Sequence, residues 1–314
     1  MSPIFIEQCR ERTLGEIFGD DTPVSIYDNS LAWLSLPQRD FVDYAAGRKR
    51  YSFDAVPEDP KVFRNQPTFL ITQAHRIWLT IRKIGQYLTT DPGAVVLDLG
   101  SFPFTVDLAI RDYLRLDCRM IVTVNQNMQA DWQAALTENR IEWIPVNLDP
   151  RVKPGPGEPA AAEGLPLEDE SVDFIVFSHV IEHLYHPIQI LKEACRVLKK
   201  GGKLLLSTDN GYMLGGFLNY LHPQSYLHEP VEQTAAMTFH EWRGHVRFFT
   251  ETDLRTLIEA AGAHVVECEL WEVLYNNLWE EYFVEPQLQI PRWRANLLTE
   301  YPVYRNEIIL VAEK

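Results

Sequence analysis

The stretch AVVLDLGSFPFTVDLAI, from Ala94 to Ile110, constrains the fold of this chain more than any other. Its first part, Ala94–Leu99, is apolar except for Asp98, which is typical of a strand buried on both faces of a parallel sheet. Gly100 then permits the backbone angles of a tight turn. Apolar residues at helical spacing resume from Asp107 to Leu114. The pattern predicts a strand, a turn and a helix, the arrangement in which α/β proteins bind nucleotide-like ligands.

Strands and helices alternate along the rest of the chain at a spacing typical of a doubly wound parallel sheet. The further predicted strands are Arg119–Asn125, Ile141–Val146, Val172–Ser178, Lys203–Ser207, His264–Leu270 and Glu307–Ala312. The helices predicted between them are Gln129–Asn139, Ile181–Leu198 and Thr250–Ala261. Thr250 is the expected N-cap of the last helix, with Asp253 in a weaker version of the capping box.

The chain is predicted to have two parts. Residues 1–90 contain scattered aromatic residues and prolines, with one amphipathic helical pattern from Thr68 to Leu88, and predict a mostly helical N-terminal cap. Residues 91–314 form the predicted α/β domain. Two insertions are expected in it, at about 209–249 and 273–305.

The composition argues against several classes of function. No apolar run approaches the ~18 residues of a membrane span, and the first residues lack the layout of a secretory signal. The four cysteines form no C-x-x-C pair, so we expect a cytoplasmic protein without a disulfide framework. The net charge is −15 and the densest basic cluster, Arg48–Arg50, has three residues. Nucleic acid is therefore an unfavourable partner.

Three strings in the second half of the chain resemble the class I S-adenosylmethionine-dependent methyltransferases, particularly those acting on small molecules and glycans. They are the acidic turn Leu165–Asp173, the string SHVIEHL at Ser178–Leu184, and RVLKKGG at Arg196–Gly202. Their order and spacing match the family over about residues 90–314. The resemblance implies a Rossmann-like sheet of seven strands, with the last strand antiparallel and strand six as its hairpin partner.

The same resemblance implies S-adenosylmethionine as cofactor and methyl transfer to a hydroxyl or amine of a small-molecule or glycan substrate. The implied cofactor-binding residues are Asp98, Gly100, Ser101 and Phe102 in the opening turn, and Asn125, Asp149, Glu163 and His179 beyond it. Asn125 stands where the family has an acidic residue for the ribose hydroxyls. Asp149 or Glu163 is expected to bind the adenine amino group, and His179 to line the cofactor or substrate.

The opening turn departs from the family pattern. The family has glycine at the second and fourth positions after Gly100, where this chain has Phe102 and Phe104. Side chains at these positions are expected to obstruct the cofactor unless Pro103 redirects the turn. Together with the uncharged Asn125, they motivate a second hypothesis, in which the chain is a non-catalytic methyltransferase-like binding or scaffold protein that has lost affinity for the cofactor.

Histidines in the first insertion are candidates for a catalytic base, because an acceptor hydroxyl loses its proton as it attacks. Of these, His240 with its neighbour Glu241 is the predicted catalytic pair. The competing interpretation is that the insertion's histidines bind backbone groups of a long loop. His245, in the string HVRFFT, favours such a structural role.

The string His179-x-x-Glu182-His183 also matches the H-x-x-E-H pattern of a zinc-protease group. A zinc site needs both histidines on one helical face, whereas His179 precedes the predicted helix. We therefore predict no metal and leave a zinc hydrolase as a third, weaker hypothesis. The sequence leaves the oligomeric state open, a homo-oligomer included.

Overall fold

The structure is a computed structural model that describes residues 16, 18–47, 73–88, 91–124, 130–149, 164–216, 245–274 and 289–314. Its strands are β1 (Pro23–Ser25), β2 (Val95–Asp98), β3 (Arg119–Val124), β4 (Ile141–Pro145), β5 (Val172–Ser178), β6 (Leu198–Asp209), β7 (His264–Trp271), β8 (Gln289–Pro291) and β9 (Glu307–Glu313). Its α-helices are α1 (Arg39–Gly47), α2 (Ala74–Tyr87), α3 (Thr105–Asp112), α4 (Ala130–Glu138), α5 (Pro187–Val197), α6 (Glu251–Ala261) and α7 (Arg292–Glu300).

The centre of the molecule is a seven-stranded sheet with the order β4-β3-β2-β5-β6-β9-β7. The pairs from β4 to β6 are parallel, whereas β9 runs antiparallel to both of its neighbours, β6 and β7. This confirms the predicted sheet with an antiparallel last strand, which is β9, paired to the sixth predicted strand, which is β7. Asp98 is in register with Val122 on one side and Val176 on the other, so the carboxyl ends of the parallel strands meet at one edge.

Helices cover both faces of the sheet, as the both-face burial of its apolar strands requires. One face packs against α2, α3 and α4, which contribute Ile77, Leu108 and Trp132 to a continuous apolar cluster. The other packs against α5 and α6, through residues such as Leu191 and Leu254. The doubly wound architecture predicted from the alternation of elements is therefore confirmed.

Two predicted element boundaries are wrong. The helix expected at Ile181–Leu198 is divided into a 3₁₀ turn, Ile181–His183, and α5, which begins at Pro187. Leu184 has extended backbone between them. Proline is favoured in the first turn of a helix and disfavoured further in, so Pro187 marks the start of α5. Strand β6 is also longer than the predicted Lys203–Ser207.

The capped helix α6 agrees with its prediction. The Thr250 hydroxyl accepts from the Asp253 N–H at 3.2 Å, and the Thr250 N–H donates to the Asp253 carboxylate at 2.9 Å. The helix ends at Gly262, whose φ of +101° favours glycine.

Part of the N-terminal segment packs against the second insertion. Strands β1 and β8 form a two-stranded antiparallel sheet, with Val24 opposite Ile290. Leu31 and Trp33 join Trp293 and other residues of α7 in a separate apolar cluster. Residues 217–244 of the first insertion lie outside the described residues, and the division at residue 90 stays a prediction. Among the described helices, none has the length and apolar character needed to cross a membrane.

Candidate functional site

Two loops meet at the carboxyl edge of the parallel strands. The loop after β2 is anchored to β5, because the Leu99 N–H donates to the Val176 carbonyl at 2.9 Å. The loop after β5 is anchored to β6 in the same way, through His179 N–H and the Ser207 carbonyl at 2.9 Å. We call residues 98–107 the β2 loop. This edge is where open α/β sheets bind their ligands.

Gly100 lies in the β2 loop at a position with no space for a side chain. Its φ is +76°, and a Cβ there would lie 2.9 Å from both γ-carbons of Val180 and 3.2 Å from a δ-carbon of Leu148. Its N–H donates to the Thr123 hydroxyl at 2.7 Å. Both the backbone angle and the close packing therefore require glycine.

Two buried carboxyl groups, Asp98 and Asp107, lie side by side beneath this turn. Asp98 is 5% exposed and Asp107 is fully buried. The Ser101 hydroxyl donates a hydrogen bond to Asp107. We call Asp98 and Asp107 the acid pair. The acid pair and its Ser101 hydrogen bond bring together Asp98 and Ser101, both predicted to bind the cofactor, and Asp107, which the sequence did not identify.

The acid pair holds protons more tightly than ordinary carboxyl groups. Burial and then the neighbouring Asp107 charge raise the pKa of Asp98 well above its usual value. Burial also raises the pKa of Asp107, to about 6, although the Ser101 hydrogen bond opposes the shift. At neutral pH the pair therefore retains a proton, held between two like charges in a site with little water.

The phenylalanines of the β2 loop have different environments. Phe104 has a φ of +66°, the left-handed conformation that glycine adopts readily, and its ring is 1% exposed in the core. Phe102 is 39% exposed. Its ring centroid lies 4.7 Å from that of Trp132 on α4. The expected obstruction of the turn therefore does not apply to Phe104, because its side chain points into the core.

Asp149 is fully buried and binds the loop after β5. One carboxylate oxygen accepts the Tyr185 N–H at 2.7 Å, and the other lies 2.9 Å from His186 Nδ1. These contacts orient the chain between the 3₁₀ turn and α5. The predicted role of Asp149 toward an adenine amino group stays a prediction.

His179 begins a buried group of charged residues after β5. Its φ is +52°, so it lies outside any helix, and the zinc-protease arrangement with both histidines on one helix is not formed. Its Nε2 lies 2.8 Å from Glu307 Oε1, and its Nδ1 lies 3.2 Å from Glu182 Oε1. Glu182 and Glu307 are fully buried. The imidazole thus bridges two carboxyl groups from different parts of the chain.

The two carboxyl groups decide the charge of His179. Burial and the charge of Arg76 lower the pKa of His179, but Glu307 and Glu182 outweigh both and raise it to about 9. For Glu182, burial favours the neutral form, yet the bond to His179 and its charge hold the pKa well below the usual range. Burial raises the pKa of Glu307 despite the neighbouring His179. At neutral pH, His179 is therefore an imidazolium ion paired with the Glu182 carboxylate.

Two further histidines adjoin this group. The rings of His183 and His245 have centroids 4.8 Å apart, and His245 Nδ1 lies 3.5 Å from an Asp209 carboxylate oxygen. The Val246 N–H donates to the Glu182 carbonyl at 2.9 Å, which ties the chain after the first insertion to the 3₁₀ turn. We define the histidine cluster as the set His179, Glu182, His183, Asp209, His245 and Glu307.

Some predicted site residues cannot be placed. Asn125, Glu163, His240 and Glu241 lie outside the described residues. Of the others, Asp98, Gly100, Ser101 and Phe102 share the β2 loop. His179 and Asp149 belong to the loop after β5 and its contacts.

Sequence reasoning did not identify Asp107 or Glu307 as members of the site. Asp107 looked like an ordinary acidic residue in the first turn of a helix. Glu307 opens the otherwise apolar string EIILVA, and an acidic residue leading a central strand is a usable signal of a buried partner.

A sequence profile of the methyltransferase domain family matches residues 104–268. The chain is 29% identical over 121 residues to a probable S-adenosylmethionine-dependent methyltransferase of Mycolicibacterium smegmatis, covering 37% of this chain and 47% of that protein. It is 30% identical over 169 residues to the ubiquinone/menaquinone biosynthesis C-methyltransferase of Laribacter hongkongensis, covering 52% of this chain and 61% of that enzyme.

A solved structure with a similar fold is a Haloferax volcanii methyltransferase in complex with the Trm112 methyltransferase activator. The TM-score is 0.49 at 16% identity, over 77% of this chain and 91% of that one. The chain spans about half the length of the Mycolicibacterium relative and about three fifths of the Laribacter enzyme.

Proposed function

Because the chain belongs to the family of methyltransferase domains, we propose that it transfers a methyl group from S-adenosylmethionine to a hydroxyl or amine of a small molecule or glycan. The observation that carries the proposal is the β2 loop, where a glycine without space for a Cβ lies above the buried acid pair. Close backbone approach and a carboxylate are what the amino-acid end of this cofactor requires.

The residues of the β2 loop fit the cofactor. The amino-acid end of the cofactor carries an ammonium group, and Asp98 supplies a carboxyl group beside the turn. A bound ammonium group would stabilise the charged form of that carboxyl group. Gly100, which is partly exposed, has no side chain of its own between its backbone and a ligand. Phe102, exposed and packed on Trp132, offers an apolar surface beside the turn for the adenosyl part.

The cofactor supplies the chemistry, an activated methyl group on a sulfonium sulfur. The chain's own residues orient the two reactants and exclude water. His179 is a positioning residue and not the base, because at neutral pH its imidazole already carries the proton. The candidate base remains the sequence-predicted pair His240 and Glu241.

The scaffold hypothesis has a weaker basis once the β2 loop is known. It rested on Phe102, Phe104 and Asn125, and Phe104 is a core residue. Phe102 remains at the surface of the loop.

Methyl transfer is tested with the purified chain, tritium-labelled S-adenosylmethionine and a panel of phenols, sugars and amines. We expect label to appear in one acceptor class, and label transfer to fall strongly in Asp98→Asn. Glu313→Gln, a surface substitution on β9, is the matched control and retains transfer. Absence of cofactor binding to the folded wild type would contradict methyl transfer and favour the scaffold hypothesis, whereas cofactor binding by the wild type would remove the motivation for the scaffold hypothesis.

A further inference from the structure

The histidine cluster contains a set of metal-ligand atoms that the proposed cofactor site does not use. One ligand atom each from Glu182, His183 and His245 lies within 4.8 Å of the others. Zinc binds carboxylate oxygen and imidazole nitrogen at about 2.0–2.2 Å, so ligand atoms around one ion lie roughly 3–4 Å apart. Small side-chain movements therefore bring these three atoms to an ion.

Glu182 is oriented by groups other than a metal. The Thr208 hydroxyl donates to Glu182 Oε2 at 3.0 Å. The other oxygen, Oε1, is buried and lies 3.2 Å from His179 Nδ1. A buried carboxylate is costly unless cations balance its charge, and His179 balances Glu182 only in part because it also faces Glu307. The orientation of Glu182 thus presents an acceptor atom toward the cluster.

The two histidines are held beside this carboxylate by the backbone. His183 follows Glu182 in the 3₁₀ turn, and the Val246 N–H bonded to the Glu182 carbonyl fixes the segment that carries His245. Asp209 lies 3.5 Å from His245 Nδ1, in the manner of the outer carboxylates that orient metal-binding histidines. The arrangement of ligands is therefore built by the fold before any ion binds.

We propose that Glu182, His183 and His245 bind one divalent transition-metal ion, in contrast to the sequence prediction of no metal. Two imidazoles and one carboxylate suit zinc, manganese or iron(II) and do not suit magnesium or calcium, which bind oxygen ligands. Three protein ligands leave a coordination position for a water or substrate oxygen, as in catalytic metal sites. His183 and His245 are partly exposed, so that position is reachable from solvent.

A second set of ligand atoms, from His179, Glu182 and Asp209, shares Glu182 with the first. Both ring nitrogens of His179 already face carboxyl oxygens, Nε2 at 2.8 Å from Glu307 and Nδ1 at 3.2 Å from Glu182. The set with His183 and His245 is therefore the one we assign.

The ion would select an oxygen acceptor, an assignment that rests on the proposed methyl transfer. A hydroxyl bound to the ion loses its proton to solvent base more readily. Its oxygen then forms a bond to the methyl carbon as the carbon–sulfur bond breaks. The electrons of that bond pass to sulfur, and the neutral demethylated cofactor leaves. The metal site thus favours hydroxyl over amine acceptors.

Metal binding is tested directly on the full chain after treatment with a chelator and dialysis. Zinc, manganese and cobalt(II) chlorides are titrated by calorimetry, and the visible absorption of cobalt(II) reports its ligands. We expect one ion per chain, with affinity at least about tenfold weaker in His183→Ala and in His245→Ala. His264→Ala, which removes an exposed histidine at the start of β7, is the matched control and binds as the wild type does.

Retained metal binding in both variants would overturn the assignment, as would a wild type that takes up no stoichiometric ion. Circular dichroism verifies that each variant is folded, and His183→Asn and His245→Asn replace any alanine variant that is not. In addition, zinc is expected to raise the melting temperature of the wild type and not that of the variants.

A parallel titration with S-adenosylhomocysteine separates this proposal from the proposed function. Binding of the nucleoside with no metal binding overturns the metal site and leaves methyl transfer in place. Metal binding without binding of S-adenosylhomocysteine overturns methyl transfer and leaves the metal site in place.

Discussion

The acid pair and the histidine cluster both bury charge at the same sheet edge, but they compensate for it differently. The acid pair places two like charges together, and burial raises the pKa of each carboxyl group. The histidine cluster alternates charges, with the imidazolium of His179 between Glu182 and Glu307. The first arrangement contains no cation of the protein's own, whereas in the second the His179 imidazolium offsets part of the buried carboxylate charge.

This difference assigns separate roles to the two sites. A site with unbalanced like charge is expected to contribute to ligand binding and little to stability. A balanced buried ion pair loses stability when one partner is removed. Substitutions in the two regions should therefore affect different measurements.

The stability of the β2 loop is expected to come from its buried ring and not from its carboxyl groups. Phe104→Ala removes a ring that is 1% exposed, and should lower the free energy of unfolding by about 3–5 kcal/mol in urea titrations. Phe102→Ala, with 39% of the residue exposed, should cost less than about 1 kcal/mol. Equal losses would show that Phe104 does not anchor the loop. Glycine at both positions is accordingly expected to unfold the loop and not to open a binding site.

The packing around Gly100 can be separated from its backbone angle. Gly100 and Gly201 have φ values of +76° and +77°, but a Cβ at Gly201 would meet nothing within 4 Å. Gly201→Ala should cost about 1–2 kcal/mol from the backbone conformation alone. Gly100→Ala should cost about 2–4 kcal/mol, because the added methyl group also meets Val180 and Leu148. Thermal unfolding compares the two, and equal costs would exclude the steric effect.

Glu307→Gln tests the balanced character of the histidine cluster. The amide keeps a hydrogen-bond acceptor near His179 but removes the charge, and should lower the free energy of unfolding by about 2 kcal/mol. Glu313 lies on β9, as Glu307 does. Glu313→Gln breaks its partly exposed ion pair with Lys203 of β6 and should have little effect on stability. If the two variants were equally stable, the buried pair would not be a stabilising one.

Asp98→Asn tests the complementary role of the acid pair. Because the pair already retains a proton at neutral pH, an amide in place of the Asp98 carboxyl group should leave stability unchanged or increased, whereas affinity for S-adenosylhomocysteine should fall by about tenfold or more. Calorimetry and urea unfolding on the same preparation give both quantities. A large loss of stability with unchanged affinity would reverse the assignment of roles.

Proton release gives the smallest and most specific effect. The raised pKa of Asp98 means that it is protonated before the ligand arrives, and a bound ammonium favours its charged form. Binding should therefore release protons, and affinity should rise with pH until Asp98 ionises in the free protein. Calorimetry in two buffers of different ionisation enthalpy measures the release, which should be absent in Asp98→Asn.

The sheet could be predicted from sequence because strands buried on both faces need apolar runs, which are visible in Val172–Ser178 and Glu307–Glu313. The full length of β6 could not be predicted. Nor could the start of α5, since Pro187 was included in a longer helical pattern. The left-handed backbone of Phe104 also gave no signal, because non-glycine residues rarely adopt it.

The site could be predicted only in part. Asp98 and Gly100 follow from the end of a strand and the turn after it. The acid pair depends on how α3 packs under that turn, and the His179–Glu307 contact joins residues 128 positions apart. Such contacts arise from tertiary packing and not from local pattern.

The most direct test of the central claim is a calorimetric titration of the wild-type chain and Asp98→Asn with S-adenosylhomocysteine. We expect saturable binding of one ligand per chain to the wild type, and affinity about tenfold weaker or more in the variant. Absence of heat with the wild type at millimolar ligand, or equal affinity in the two proteins, would contradict it.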